Sequence, residues 1–378
     1  MTPEELAGLH PAARLMARLC EIPSPSRQEG PVADLVRAEL RALGADVMED
    51  GAAAEIDAGC GNIVGRFPAT APGGTPIALC AHLDTVPPTG PIEVDLVDGH
   101  LINARPTILG GDDKAAVAVM IEAMRRVRDE GLPHAGVELL FTPCEEIGLR
   151  GAAAFDPSTL AARMVFVYDH TGPVGSVVES APSLHKIAAT FIGRAAHAGI
   201  APEAGRSAVE AAARAIGRMP LGRIDAETTA NVGTVVGGTA TNVVAERCEI
   251  TAEARSRDER TLAVQLTAML DALTWAASEC EVDLETRVDR EFTSYRLAED
   301  DPQVRLALDV LSSLGHRAQL VASGGGSDVN ALIRNGLPAV NMCNGMLDVH
   351  TPDERIALTS LEAMFDVTLG LIDAARAG

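Results

Sequence analysis

The chain has 378 residues, 47% of them hydrophobic and 3% aromatic, with a formal net charge of −22. That length suits one large domain or two ordinary ones, with a core built from Ala, Val, Leu and Ile rather than aromatics. The acid excess argues against nucleic-acid binding, which needs a basic patch to neutralise phosphates, and it serves solubility.

No apolar run reaches the length of a membrane span. The start, MTPEELAGLHPAARLM, lacks the basic and then apolar regions of a signal peptide. Seven cysteines, with no CxxC pair, point to reduced thiols in a cytoplasmic protein. In chain order, segments 12–20 and 31–42 predict amphipathic helices and 62–67 a strand, followed by a turn at 69–76 (ATAPGGTP). The apolar run 77–80 (IALC) leads into His82. Segment 114–130 predicts a long helix. The run 137–142 (VELLFT) leads into Glu145, and 164–168 (MVFVY) stops at Asp169.

From about 184 to 292 the order changes to strand 186–192, helix 207–219, strands 230–236 and 246–254, helix 260–277 and strand 281–288. This βαββαβ order is the ferredoxin-like pattern. It reads as a unit inserted into the larger one, with hinges near Pro182 and in 293–301. A helix at 303–314, a strand at 339–343 that runs on to His350, and a helix at 360–375 complete the chain. Strands alternating with helices imply an α/β fold with a mostly parallel sheet and helices on both faces. The expected division is 1–182 plus 294–378 for the α/β domain and 183–293 for the insert.

Five short clusters carry metal-binding residue types: His82-Leu83-Asp84, Asp112-Asp113, Glu145-Glu146, Asp169-His170 and His350. Most follow an apolar run, and open α/β sheets bind ligands outside the carboxyl ends of their strands. Imidazoles and carboxylates gathered there would bind hard or borderline cations, and their number suits two. If the first strand continues past His82, Asp84 faces the same side and could orient that imidazole. Asp112 and Asp113 follow two glycines and open a helix, where one acid suffices as a cap. Adjacent glutamates repel unless a cation is near. One could ligate it while the other acts as general base. Asp169 or His170 could be the next ligand, Asp169 being first past the strand. Gly324-Gly325-Gly326-Ser327-Asp328 has no phosphate-loop spacing and reads as a loop for a substrate backbone.

The stretches AHLDTVP, LGGDDKAA, FTPCEEIGLRGA, VYDH, GRAAHAGIAPEAGRSA, TNVVAERCEITAEARS, GGGSDVNAL and DVHTPDER together resemble the M20 family of dinuclear metallopeptidases, most closely its peptidase T-like branch. The resemblance covers nearly the whole chain. It implies a catalytic domain interrupted by a ferredoxin-like lid or dimerisation domain, hence a homodimer. It implies two divalent metal ions, zinc first, with manganese or cobalt as alternatives. Asp112 would bridge them, His82 and Asp169 would complete one, and Glu146 and His350 the other. Asp84 would hydrogen-bond His82, Glu145 would be the general base, and the Asp112–Asp113 peptide would be cis. In the insert, His197 would stabilise the oxyanion, while Asn242 and Arg255 would hold a substrate carboxylate. Arg255 could otherwise simply pair with an acid on a sheet face. The implied substrates are short peptides or acylated amino acids, split by a dinuclear peptidase or by a related amidohydrolase or carboxypeptidase. A non-catalytic binding protein of the same fold is the remaining reading.

Overall fold

The computed structural model describes residues 3–377, which divide into two compact units. The first comprises residues up to Glu179, Leu297–Ser323 and the chain from Ser327 onward. The second comprises Ser180–Arg296 with Gly324–Gly326. Among the described residues no helix is long and apolar enough to cross a membrane.

At the centre of the first unit lie four parallel strands. Their order across the sheet is Val137–Thr142, Ile77–His82, Met164–His170 and Ala339–Cys343. Every residue of Ile77–His82 and of Val137–Thr142 is buried. That explains their near-continuous apolar sequence, since a parallel sheet is covered on both faces. Antiparallel strands flank the four: Ile63–Phe67 with Asp46–Glu49 on one side, Ser176–Ala181 on the other. The helices Pro11–Cys20, Gly30–Ala42, Lys114–Glu130, Pro302–Ser313 and Leu358–Ala377 supply the covering layers. Lys114–Glu130 is enclosed along most of its length, with Ala115 to Met120 fully buried. Its C-terminus is closed by Gly131 at φ 65, a left-handed position that favours glycine.

A smaller four-stranded sheet joins Val94–Val97, His100–Asn103, Arg355–Ala357 and Met346–Leu347. It makes residues 346–357 a hairpin whose loop carries His350.

The second unit is the expected ferredoxin-like sheet. Its long strands lie in the order Thr228–Gly237, Arg247–Ser256, Ser183–Ile192, Asp283–Phe292, all antiparallel. The helices Ala208–Arg218 and Glu259–Glu279 pack on one face, their alanines against Ile187, Phe191 and Ile250. Strand Arg247–Ser256 alternates buried and open positions, so Arg247, Glu249, Thr251, Glu253 and Arg255 line the face away from that core. The chain's one tryptophan, Trp275, sits at the edge of this core with the Arg218 guanidinium 4.6 Å above its ring.

Candidate metal centre

Three of the expected groups come directly from the ends of parallel strands. His82 ends its strand, Glu145 and Glu146 follow Thr142 by three and four residues, and Asp169 is the next-to-last residue of its strand. Asp112 precedes the buried helix Lys114–Glu130, and His350 sits at φ 66 in the 346–357 hairpin loop. The Asp112–Asp113 peptide is cis.

These side chains converge. One oxygen of Asp112, Oδ1, lies 3.6 Å from His82 Nε2, and that nitrogen is 4.0 Å from Asp169 Oδ1. The other oxygen, Oδ2, lies 3.4 Å from His350 Nε2, which is 2.9 Å from Glu146 Oε1. Donor atoms of His82, Asp112 and Asp169 lie within 4.8 Å of one another, as do those of Asp112, Glu146 and His350, and those of His82, Glu145 and Glu146. His170 is turned elsewhere: its Nδ1 lies 2.6 Å from the Thr171 carbonyl and 3.5 Å from Cys343 Sγ.

The electrostatics follow from burying many acids beside two imidazoles. Burial opposes the charged form of His82, yet Asp112 and Asp84 hold its pKa well above the ordinary value. Contacts with Asp112 and then Glu146 push His350 up to about 10. Burial also works against Asp112, but His350 and His82 outweigh it and hold the carboxyl below its usual range. Glu145, Asp169 and Asp113 are pushed well up, first by burial and then by neighbouring carboxylates. Neither oxygen of the buried Asp113 accepts a hydrogen bond from a described residue. A cluster so short of positive charge suits cations. The spacing agrees, because two donors each about 2.1 Å from one tetrahedral ion lie about 3.4 Å apart. The donors are nitrogen and oxygen without thiolate, which fits zinc, manganese or cobalt.

One expected contact takes a different form. The parallel strand stops at His82, so the alternation that would set Asp84 beside the imidazole does not apply. His82 Nδ1 instead donates to the Asp84 backbone carbonyl at 2.9 Å, and the Asp84 carboxylate stands 3.6 Å away. That bond leaves Nε2 facing Asp112 and Asp169. The carboxylate accepts from the backbone N–H groups of Glu145 (2.9 Å) and Glu146 (3.2 Å) and from Ser26 Oγ (2.6 Å). Asp84 therefore fixes the glutamate loop as well as the tautomer of His82.

Further residues support the site, and one of them, Glu29, carries no sequence signal of its own. Glu29, fully buried, accepts from the backbone N–H of Arg27, Gly59 and Cys144 and from Cys144 Sγ. It braces Cys144, which has a left-handed φ of 56 just ahead of the glutamate pair. The approach is close enough that a Cβ at Gly59 would lie 2.5 Å from the Glu29 nitrogen. In sequence, Glu29 reads only as an acid before a helix. Thr142 Oγ1 donates to the buried Asp328 at 2.5 Å, and burial holds Asp328 up at about 6. Lys114 is fully buried with its Nζ on the Ile22 carbonyl at 2.8 Å, and burial pulls it down to about 8.

The remaining three candidates belong to the second unit. His197 and Asn242 are exposed neighbours on two strands of loop joined by the Ala198 N–H to Asn242 carbonyl bond, 2.9 Å, and by a bridge from His197 to Val243. Arg255 is engaged with Glu253 on the same strand face, Nε to Oε1 at 2.9 Å and the terminal nitrogen to Oε2 at 3.1 Å. The alternative of an ion pair on a sheet face is thus what the structure contains.

A profile of Peptidase family M20/M25/M40 matches residues 78–374. The Bacillus subtilis protein YqjE, itself uncharacterised, is 34% identical over 94% of this chain and 96% of its own length. The structure of the aminopeptidase PepT from Bacillus cereus superimposes with a TM-score of 0.86 at 36% identity, covering 97% of this chain and 98% of that one. A tripeptidase from Staphylococcus aureus superimposes with a TM-score of 0.92 at 33% identity and the same coverage. The family profile spans both sides of the metal-type cluster and the whole second unit, so the chain belongs to Peptidase family M20/M25/M40 and is an enzyme of the hydrolase class.

Proposed function

We propose that the protein cleaves short peptides, tripeptides foremost, at a centre of two divalent metal ions. The observation that carries this reading is the division of Asp112. Its two oxygens face two different donor pairs, His82 with Asp169 and His350 with Glu146. A single carboxylate shared in this way is what a two-ion site needs. The similarity to an aminopeptidase and a tripeptidase supports short peptides as the substrate class.

When bound, the two ions would polarise the scissile carbonyl and make water acidic enough to attack at neutral pH. This chain's residues do the rest. Glu145 accepts the proton of the attacking water and returns it to the departing amine. Asp84, braced by Ser26, holds the Glu145 and Glu146 backbone and keeps Glu145 in place. His82 is kept in one tautomer by the Asp84 carbonyl.

To the second unit we assign the substrate contacts. His197 would donate to the oxyanion, and Asn242 with Arg255 would take the substrate's terminal carboxylate. Glu253 already fills the Arg255 fork bidentately, so a substrate carboxylate would have to displace it. Arg255→Ala should therefore raise KM for tripeptides about 10-fold or more, a charge-assisted bond being worth about 1.5–3 kcal/mol. C-terminally amidated analogues should change little. Equal losses on both would remove Arg255 from this role.

We also propose a cytoplasmic homodimer formed through the second unit. In support, all seven cysteines are unpaired. Beyond its short pairing at Thr229 and Ala230, the outer edge of Thr228–Gly237 pairs with no described strand and exposes Val235 and Val236.

The test is metal content of the purified enzyme together with hydrolysis of dipeptides, tripeptides and N-acyl amino acids. Two ions per chain and chelator-sensitive tripeptide cleavage, restored by zinc, manganese or cobalt, are expected. Cleavage confined to N-acyl amino acids would move the enzyme to the amidohydrolase side of the family. No metal uptake and no turnover would refute the proposal.

A further inference from the structure

Glu354 lies four residues beyond His350, at the end of the same hairpin loop, and is only 2% exposed. Its carboxylate grips the chain 242 to 244 residues earlier. Oε2 accepts from the Gly110 N–H at 2.9 Å, and Oε1 accepts from those of Gly111 and Asp112 at 2.9 and 3.0 Å. Three consecutive amides thus point at one buried anion. Gly110 reaches this arrangement at φ 69, where a side chain would strain the backbone.

From this geometry we infer that Glu354 is a positioning residue for Asp112. By holding three successive N–H groups it sets the backbone from which the Asp112 carboxylate projects, and so the placement of Oδ1 toward His82 and Oδ2 toward His350. Glu354 and His350 share a loop whose base is pinned by the Arg355–Asp348 ion pair. One short segment therefore delivers a donor directly and aims the shared carboxylate indirectly. A carboxylate suits the task because both oxygens accept. A glutamine would offer one oxygen and turn an NH₂ group toward an N–H donor.

This inference rests on the two-ion reading, and the experiment separates them. Metal-free wild type, Glu354→Gln and Glu354→Asp are titrated with Zn²⁺ by calorimetry. Each is also melted in the metal-free state and assayed for kcat and KM on a tripeptide. The Gln variant should bind Zn²⁺ about 10–100-fold more weakly, the range typical of partners that orient metal ligands. Its kcat should fall by a comparable factor, with KM within about 2-fold, as expected for misplaced chemistry rather than lost substrate binding. The Asp variant, which keeps the charge and both oxygens, should recover part of both. Wild type that binds Zn²⁺ and a folded Gln variant that binds it equally well, with unchanged kcat, overturns the inference and leaves the metal centre intact. Should the Gln variant not fold, Glu354→Ala takes its place, and a folded Ala variant with wild-type Zn²⁺ affinity and kcat overturns it likewise. Wild type that takes up no Zn²⁺ sinks the two-ion reading and this inference with it.

Discussion

Replacing Glu145 by Gln should leave the fold and metal content intact while lowering kcat by about 10²–10⁴-fold, the span usual for loss of a general acid–base group. The substitution is close to isosteric and removes only the ability to accept a proton. The backbone of residue 145 would still be held, because its N–H bond to Asp84 involves no Glu145 side-chain atom. Glu145 stands beside both donor groups, within 4.8 Å of His82 and Glu146 atoms. Burial and then Asp169 raise its pKa in the metal-free cluster, and a cation at the centre would restore the carboxylate that a base must be. The check is steady-state kinetics alongside metal analysis of the same sample. Near-normal turnover with full metal would take the base role away from Glu145.

Asp112→Ala should be the more damaging change, because one truncation removes a donor from both halves of the centre. Metal stoichiometry should fall well below two, and tripeptide hydrolysis should drop by more than the about 10²–10⁴-fold expected on loss of the general base. Stability without metal should fall as well, because, despite burial, His350 and His82 hold the Asp112 carboxyl below its usual range and the folded state therefore favours its charge. Asp112 stands against Asp113 and Asp169, whose carboxyls its charge opposes. Truncation relieves that repulsion, but it strips His82 and His350 of an acid at 3.6 and 3.4 Å, and the pull of those imidazoles is the larger effect. Metal analysis and melting with and without added Zn²⁺ measure both effects. A variant that retains two tightly bound ions would show that Asp112 does not bridge.

Much of the first unit was legible because its period is strong. The helix at 114–130 has the bounds expected of it, and the four buried parallel strands announced themselves as apolar runs ending in polar clusters. Short strands were harder. Val94–Val97 and His100–Asn103 have four residues each, too few for alternation to register. A hairpin signal was nonetheless present in Asp98-Gly99, which adopt φ 49 and 77. Ser176–Ala181, at the end of the expected first domain just before the hinge, went unread as well.

At the site, residues that act through side chains at strand ends could be found by position. Those that act by clamping distant backbone could not. Glu29 reaches Cys144 across 115 residues and Glu354 reaches Asp112 across 242, and no local pattern encodes either approach. Asp84 shows the limit of period-2 reasoning, which holds only while the strand does. Arg255 shows another: a guanidinium two residues from a glutamate on one strand face satisfies itself locally before any substrate arrives.

The placement of Trp275 gives the molecule a built-in optical label. As the sole indole in the chain, it sits in the insert's helix Glu259–Glu279. Its emission therefore reports the surroundings of that unit alone, including departure of the Arg218 cation from its ring face. The other unit holds Tyr168, fully buried in its core, as its own weaker ultraviolet chromophore. Denaturation followed at indole emission and by far-ultraviolet dichroism will thus trace one transition if the two units melt together and two if they melt apart.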